Sequence, residues 1–163
     1  MPLIHHPVMH SKVKLPHRIA AGGLIFSDKG VLLVRYPDSE GGCYLVAPGG
    51  GLESDENIEQ SITREVLEET GLEVRPKAVV MIEDLIGSRF KMIKIWMTCN
   101  ITGGSFSKTQ GALAEGIVEV GWFNREQLTT ETVFPSILLE RNWDILQNID
   151  VRVEIAPSRQ VGF

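Results

Sequence analysis

Residues 49–72 read GGGLESDENIEQSITREVLEETGL, and both ends of one helix can be drawn inside that stretch. Ile58, Ile62 and Val66 recur at four-residue steps, the spacing of one helical face, and Leu67 widens the apolar stripe. Asn57 supplies an N-cap, and Gln60 three positions later can return the bond and complete a capping box. Gly71 can take the left-handed conformation that stops a helix, so the spacing predicts a helix over 57–70. Just before it, Pro48-Gly49-Gly50-Gly51 is read as a loop in which no regular element persists.

The face turned away from Ile58 and Ile62 is assigned Glu65, Glu68 and Glu69. At about 100° per residue, Glu65 and Glu69 lie about 40° apart, with Glu68 about 60° to the other side of Glu65. Like charges at these spacings weaken a helix by a few tenths of a kcal/mol per pair. They also crowd its C-terminal end, where the macrodipole disfavours negative charge. A hard divalent cation, which wants several oxygen ligands, would remove both penalties. Acidic runs are ordinarily solvated faces, and that reading stands beside the metal-binding one. The glycines upstream tip the balance, since they let a phosphate or metal approach the backbone. Arg64 can reach Glu68 at i+4, and Glu56 as well, holding carboxylates in place.

Gly50, Glu56, Arg64-Glu65, Glu68-Glu69 and Gly71, with Val66 and Leu72 at the aliphatic positions, resemble the Nudix box, G-x5-E-x7-R-E-U-x-E-E-x-G-U, without a departure. The resemblance implies an α/β fold, an α/β/α sandwich with a mixed β-sheet, and hydrolysis of a nucleoside diphosphate linked to another moiety. It implies magnesium, with manganese as the alternative, held by Glu65, Glu68, Glu69 and the carbonyl of Gly49. Glu56 and Arg64 take supporting roles. A box glutamate or a later one would be the base. Glu115, at the end of a loop spanning Ser105–Ala114, is preferred over Glu119, Glu83 and Asp84.

For substrate, Arg18, Arg35 and Arg89 could meet phosphates, while Tyr44, Phe90 or Trp96 could stack on a base. Packing or surface contact is the alternative for each. Trp122 and Trp143 are read as core residues. Gly87 stands where many ADP-ribose hydrolases of the family carry a proline. Signals of the dinucleoside polyphosphate, coenzyme A and NADH branches are also missing, so the substrate stays open. The competing readings are a nucleotide-binding sensor without turnover, and an isoprenoid diphosphate isomerase, against which the intact box argues.

Around this stretch the pattern is that of one mixed domain. Strands are predicted over Ile19–Ser27 and Val31–Tyr36, joined by Asp28-Lys29-Gly30, and over Tyr44–Ala47, Ala78–Ile86, Lys91–Ile101 and Ile117–Phe123. Further helices are predicted over Glu126–Thr132 and Ser136–Asn148, and a last strand over Val151–Ile155. Residues 1–17, with His5, His6 and His10, are read as an arm rather than a metal site, and residues 18–163 as the domain.

With 163 residues there is material for one core. A net charge of −5 argues against nonspecific nucleic-acid binding and requires local neutralisation of an anionic substrate. No apolar run is long enough for a membrane span, and the first residues lack the apolar core of a signal peptide. Cys43 and Cys99 are read as free thiols in a cytoplasmic protein, a single disulfide being the alternative. The apolar strands around Met92–Thr98 could supply the contact of a homodimer.

Overall fold

The computed structural model describes residues 15–149. The three histidines of the arm and the strand predicted over Val151–Ile155 lie outside the described residues. In chain order the elements are β1 (His17–Ser27), β2 (Gly30–Pro37), β3 (Cys43–Val46), β4 (Gly49–Gly51), α1 (Ile58–Thr70), β5 (Leu72–Ile86), β6 (Lys91–Gly104) and α2 (Gln110–Ala114). They continue as β7 (Glu119–Phe123), α3 (Arg125–Leu128), β8 (Val133–Phe134), α4 (Ile137–Glu140) and α5 (Trp143–Gln147).

One mixed sheet runs β5-β6-β1-β2-β3-β8, with β4 added to β1 and β7 to β2. The β1–β6 and β3–β8 pairs are parallel and the rest antiparallel. Two cores follow from strand alternation. Ala21, Ile25, Leu32, Met97 and Cys99 face Ile62 and Val66 of α1. Leu24, Leu33, Leu45, Trp96 and Phe123 face Leu128 of α3 and Leu138 of α4, with Trp143 of α5 packed against them. This is an α/β/α sandwich around a mixed sheet. Each fully buried aliphatic of α1 contributes roughly 1.5–3 kcal/mol by leaving water.

The helix boundaries match the sequence. Asn57 Oδ1 accepts from the Gln60 amide at 2.9 Å and Gln60 Oε1 from the Asn57 amide at 2.9 Å. Gly71 closes the helix at φ 74°, donating to the Leu67 carbonyl.

Its faces differ from the prediction. Leu67 is 44% exposed, whereas Glu65 is 6% and Glu69 0% exposed. The wheel explains why: Glu69 falls about 20° and Glu65 about 60° from Ile62, while Leu67 falls about 140° away. The two acids stand inside the buried stripe rather than opposite it.

Five other expectations change. The glycine run is a strand, β4, because Ala20, Ala21 and Gly22 of β1 pair with Gly51, Gly50 and Gly49. β5 starts directly after Gly71 and carries Pro76 at a register shift, which a sheet-edge strand tolerates. The helix predicted over Glu126–Thr132 ends at Leu128, because Val133 and Phe134 are taken by β3 as β8. The helix predicted over Ser136–Asn148 is broken at Arg141, which is extended. Asn142 caps the second piece, and Arg125 donates to the carbonyls of Arg141 and Leu139 at the break. Trp122 and Trp143 are half-buried, flanking the cores rather than lying within them.

Candidate active site

The last two turns of α1 meet β4, and the acids point at backbone. A Cβ on Gly50 would lie 2.3 Å from Glu65 Oε1, so only glycine leaves that carboxylate its place. The Gly49 amide donates to Glu69 Oε2 at 3.0 Å. Arg64 is the hub of the cluster. Its Nε and Nη2 grip Glu56 at 2.5 and 2.9 Å, and Nη1 donates to Glu65 at 2.9 Å and to Glu68 at 3.2 Å. Nη2 also donates to the Gly51 carbonyl at 3.2 Å. Glu56 in turn accepts from the Glu53 amide at 3.0 Å, tying the loop between β4 and α1.

The stretch predicted as a loop over Ser105–Ala114 holds α2, too short to show a helical period. It is sewn to the end of α1, whose last carbonyls have no partner within the helix. Ser105 and Ser107 amides donate to the carbonyls of Gly71 and Thr70, and the Thr109 hydroxyl donates to that of Glu68. Thr109 also caps α2, accepting from the Ala112 amide at 3.0 Å. Glu115 follows directly. One carboxylate oxygen each from Glu65, Glu68 and Glu115 lies within 4.8 Å of the others. Glu69 stands behind this triangle, with the Tyr36 hydroxyl 3.2 Å from Glu69 Oε1 and 3.2 Å from Glu115 Oε2.

Burial, reinforced by the charges of Glu115 and Glu65, pushes the Glu69 carboxyl up to about 8. Burial raises Glu65 too, against the pull of Arg64. Glu56 moves the other way, held down chiefly by its bonds from Arg64. Burial and the neighbouring Glu69 and Glu115 raise the Tyr36 hydroxyl, which keeps its proton and can donate it as a hydrogen bond. Buried Glu65 and Glu69 beside exposed Glu68 and Glu115 are a donor set suited to a hard cation, whose charge would offset both burial and repulsion.

The remaining candidates are scattered. Arg35 is engaged by Glu119 at 2.6 Å and by Glu131 at 2.9 and 3.1 Å, which occupies its fork. Glu83 accepts from the Trp96 indole at 2.5 Å, and Asp84 pairs with Lys91 at 3.1 Å. Trp96 is buried and offers no ring to a base. Tyr44 stacks on Tyr36 at 5.7 Å, edge-on to Phe134. Arg18 lies over Phe90 at 4.8 Å and lines a cleft of about 580 Å³ with Gly51, Leu52, Glu53 and Met92. Arg89 is exposed in the turn between β5 and β6. Sequence reasoning missed Tyr36, which stands at the end of the strand predicted over Val31–Tyr36. It carries no local signal, because only the fold brings its hydroxyl to Glu69 and Glu115.

A family description, NUDIX domain, matches residues 16–142. An ADP-ribose pyrophosphatase of Methanocaldococcus jannaschii is 35% identical over 63 residues, which are 38% of this chain and 37% of that protein. The match therefore spans little more than a third of that relative's length. A MutT protein from Methanosarcina mazei superposes with a TM-score of 0.66 at 24% identity, covering 83% of this chain and 99% of its own. The E. coli ORF135 protein gives 0.64 at 19% identity, covering 83% and 94%. At such identities the two structures speak for the fold alone. Among the described residues no helix is long and apolar enough to cross a membrane.

Proposed function

The chain belongs to the Nudix family, and from that premise we propose that it is a divalent-metal-dependent hydrolase of a nucleoside diphosphate linked to another moiety. The observation that carries this reading is the convergence of Glu65, Glu68 and Glu115 beside the buried Glu69. Glu65, Glu68 and Glu69 would hold magnesium, or manganese in its place, with the Gly49 backbone alongside. When bound, the ion screens the phosphates and lowers the pKa of water.

The chain's own groups do the rest. Arg64 and Glu56 hold the carboxylates in register. Glu115, at the rim beside the Tyr36 hydroxyl, takes the proton from the attacking water. The water oxygen bonds to phosphorus, the bridging P–O bond breaks, and the second phosphate leaves with the electron pair. The cleft beside Arg18 has room for one of the two groups joined by the diphosphate. Arg89 and Tyr44 are weaker contacts for the same groups. Given the relative named above, ADP-ribose is the first substrate to try. We further propose a cytoplasmic enzyme whose domain is residues 18–163; Cys43 and Cys99 are both free thiols, as a reducing compartment would leave them.

The test is product release from a panel of nucleoside diphosphate derivatives, with magnesium and after chelation. Turnover that disappears with chelation supports the reading. Tight binding without turnover on every member would instead mean a sensor.

A further inference from the structure

We propose that Lys94 is the cation that grips the substrate's diphosphate, its ammonium carried on the face of Trp96. The inference rests on the hydrolase reading above and adds a residue to it.

The sheet lays out the geometry as two neighbouring rows. One row runs Glu83, Lys94, Ala20, Gly51 across β5, β6, β1 and β4, and the next runs Met81, Trp96, Gly22, Gly49. Partners in a row project from the same face, and residues two apart along a strand share it. Between Lys94 and the glycine strand stands only Ala20, and between Trp96 and that strand only Gly22. The Trp96 indole that carries the ammonium lies over Gly22, and β4 beyond it turns its Gly49 amide to Glu69 and its Gly51 carbonyl to Arg64. Strands lie about 4.8 Å apart, so two strand spacings separate the Lys94 backbone from that of Gly51, and a lysine stem covers most of that span.

Lys94 also has an unused charge. It faces Glu83 directly across the β5–β6 ladder, yet makes no ion pair with it, because Glu83 takes the Trp96 indole at 2.5 Å. The Lys94 ammonium lies instead 4.3 Å from the centre of that indole. A cation–π seat orients an ammonium while leaving its three donors free. The other cations near the acids are engaged: Arg64 by Glu56, Glu65 and Glu68, and Arg35 by Glu119 and Glu131. Burial pulls the Lys94 ammonium below its usual range, and the charges of Glu69, Glu83 and Glu65 oppose that pull, as a bound diphosphate would. A diphosphate brought to a protein of net charge −5 needs such a counter-charge in addition to any ion.

The experiment compares wild type with Lys94→Met and Lys94→Arg, using adenosine α,β-methylene diphosphate as a non-hydrolysable probe in calorimetry. It adds kcat and KM on whichever panel member the wild type cleaves. Lys94→Met should weaken probe binding and raise KM by about 10- to 100-fold, the worth of one charge-assisted contact. The kcat should change little, and titrated manganese should bind as in wild type. Lys94→Arg should recover part of the affinity, and unchanged melting curves should show both variants folded. Wild-type probe affinity in Lys94→Met overturns the inference, as does a fall in kcat with probe binding intact. A wild type that binds the probe through Lys94 but cleaves no panel member removes the hydrolase reading and leaves the grip.

Discussion

The two halves of α1 are built to opposite ends. The N-terminal half, Asn57 to Ile62, follows every rule for helix stability: a reciprocal capping box, an acid in the first turn and an apolar face against the sheet. The C-terminal half, Glu65 to Thr70, breaks several. It has no basic residue in its last turn, and it buries Glu65 and Glu69 where the dipole is already negative. Its carbonyls are satisfied from outside, by Ser105, Ser107 and Thr109. One end of a single helix is therefore an anchor and the other a crowded acidic socket. Adverse electrostatics confined to one end of a well-anchored element is what a site for an ion requires.

The largest effects should come from the socket. Glu69→Gln keeps the shape, accepting from the Gly49 amide through its oxygen and donating to the Tyr36 oxygen through its NH2, but loses the charge, and kcat should fall by roughly 10²–10⁴-fold. Its stability should move the other way. The folded carboxyl titrates at about 8, above its usual 4.5, so the metal-free folded state holds a proton the unfolded chain has lost. The stability this contributes is complete below the unfolded value and declines as pH rises through the folded one. Wild-type melting temperature without metal should therefore drop between about pH 4.5 and 8, and Glu69→Gln should lack that drop. Adding magnesium at pH 8 should restore the wild type and leave the variant nearly unmoved. If the two proteins melt alike across that range, the contrast between the halves is wrong.

Arg64→Ala comes next. It releases Glu56, Glu65 and Glu68 together, and metal affinity should fall about 10- to 100-fold, as for loss of a group that orients ligands. Calorimetric titration with manganese reads this directly. Glu115→Gln should reduce kcat while probe affinity is preserved, and should leave the metal-free melting temperature close to wild type because this acid is exposed. The smallest effect belongs to the anchor. Asn57→Ala should cost about 1 kcal/mol, a few degrees of melting temperature, with kcat and KM unchanged. A loss of activity in that variant would mean the halves are coupled.

The same contrast separates what could be read from the sequence. The capping box, the Gly71 stop and the reach of Arg64 to Glu56 and Glu68 depend on residues a few positions apart, so spacing was enough. The burial of Glu69 was misjudged. The wheel places it beside Ile62, but its charge suggested a solvated face, and only the packing of β4 and Tyr36 decides otherwise. Glu115 was legible as a candidate by its loop. Its meeting with Glu65 and Glu68 depends on the Thr109 cap and on the sewing of residues 105–109 to α1. The strand nature of Gly49–Gly51 was hidden because glycines carry no side-chain pattern, and its cause lies in the backbone of β1, far away in sequence.

The sequence alone determined the helix from Asn57 to Gly71, the spacing of its acids, the family and the reaction class that the family implies. These rest on short-range periodicity and on residue types at set intervals, which survive without knowledge of the rest of the chain. The tertiary structure alone decided which acids are desolvated, which later glutamate meets Glu65 and Glu68, and that Lys94 stands over Trp96 rather than pairing with Glu83. Those outcomes depend on strands about seventy residues apart meeting in one sheet, as Lys94 of β6 does with Ala20 of β1, and no local pattern encodes such a meeting.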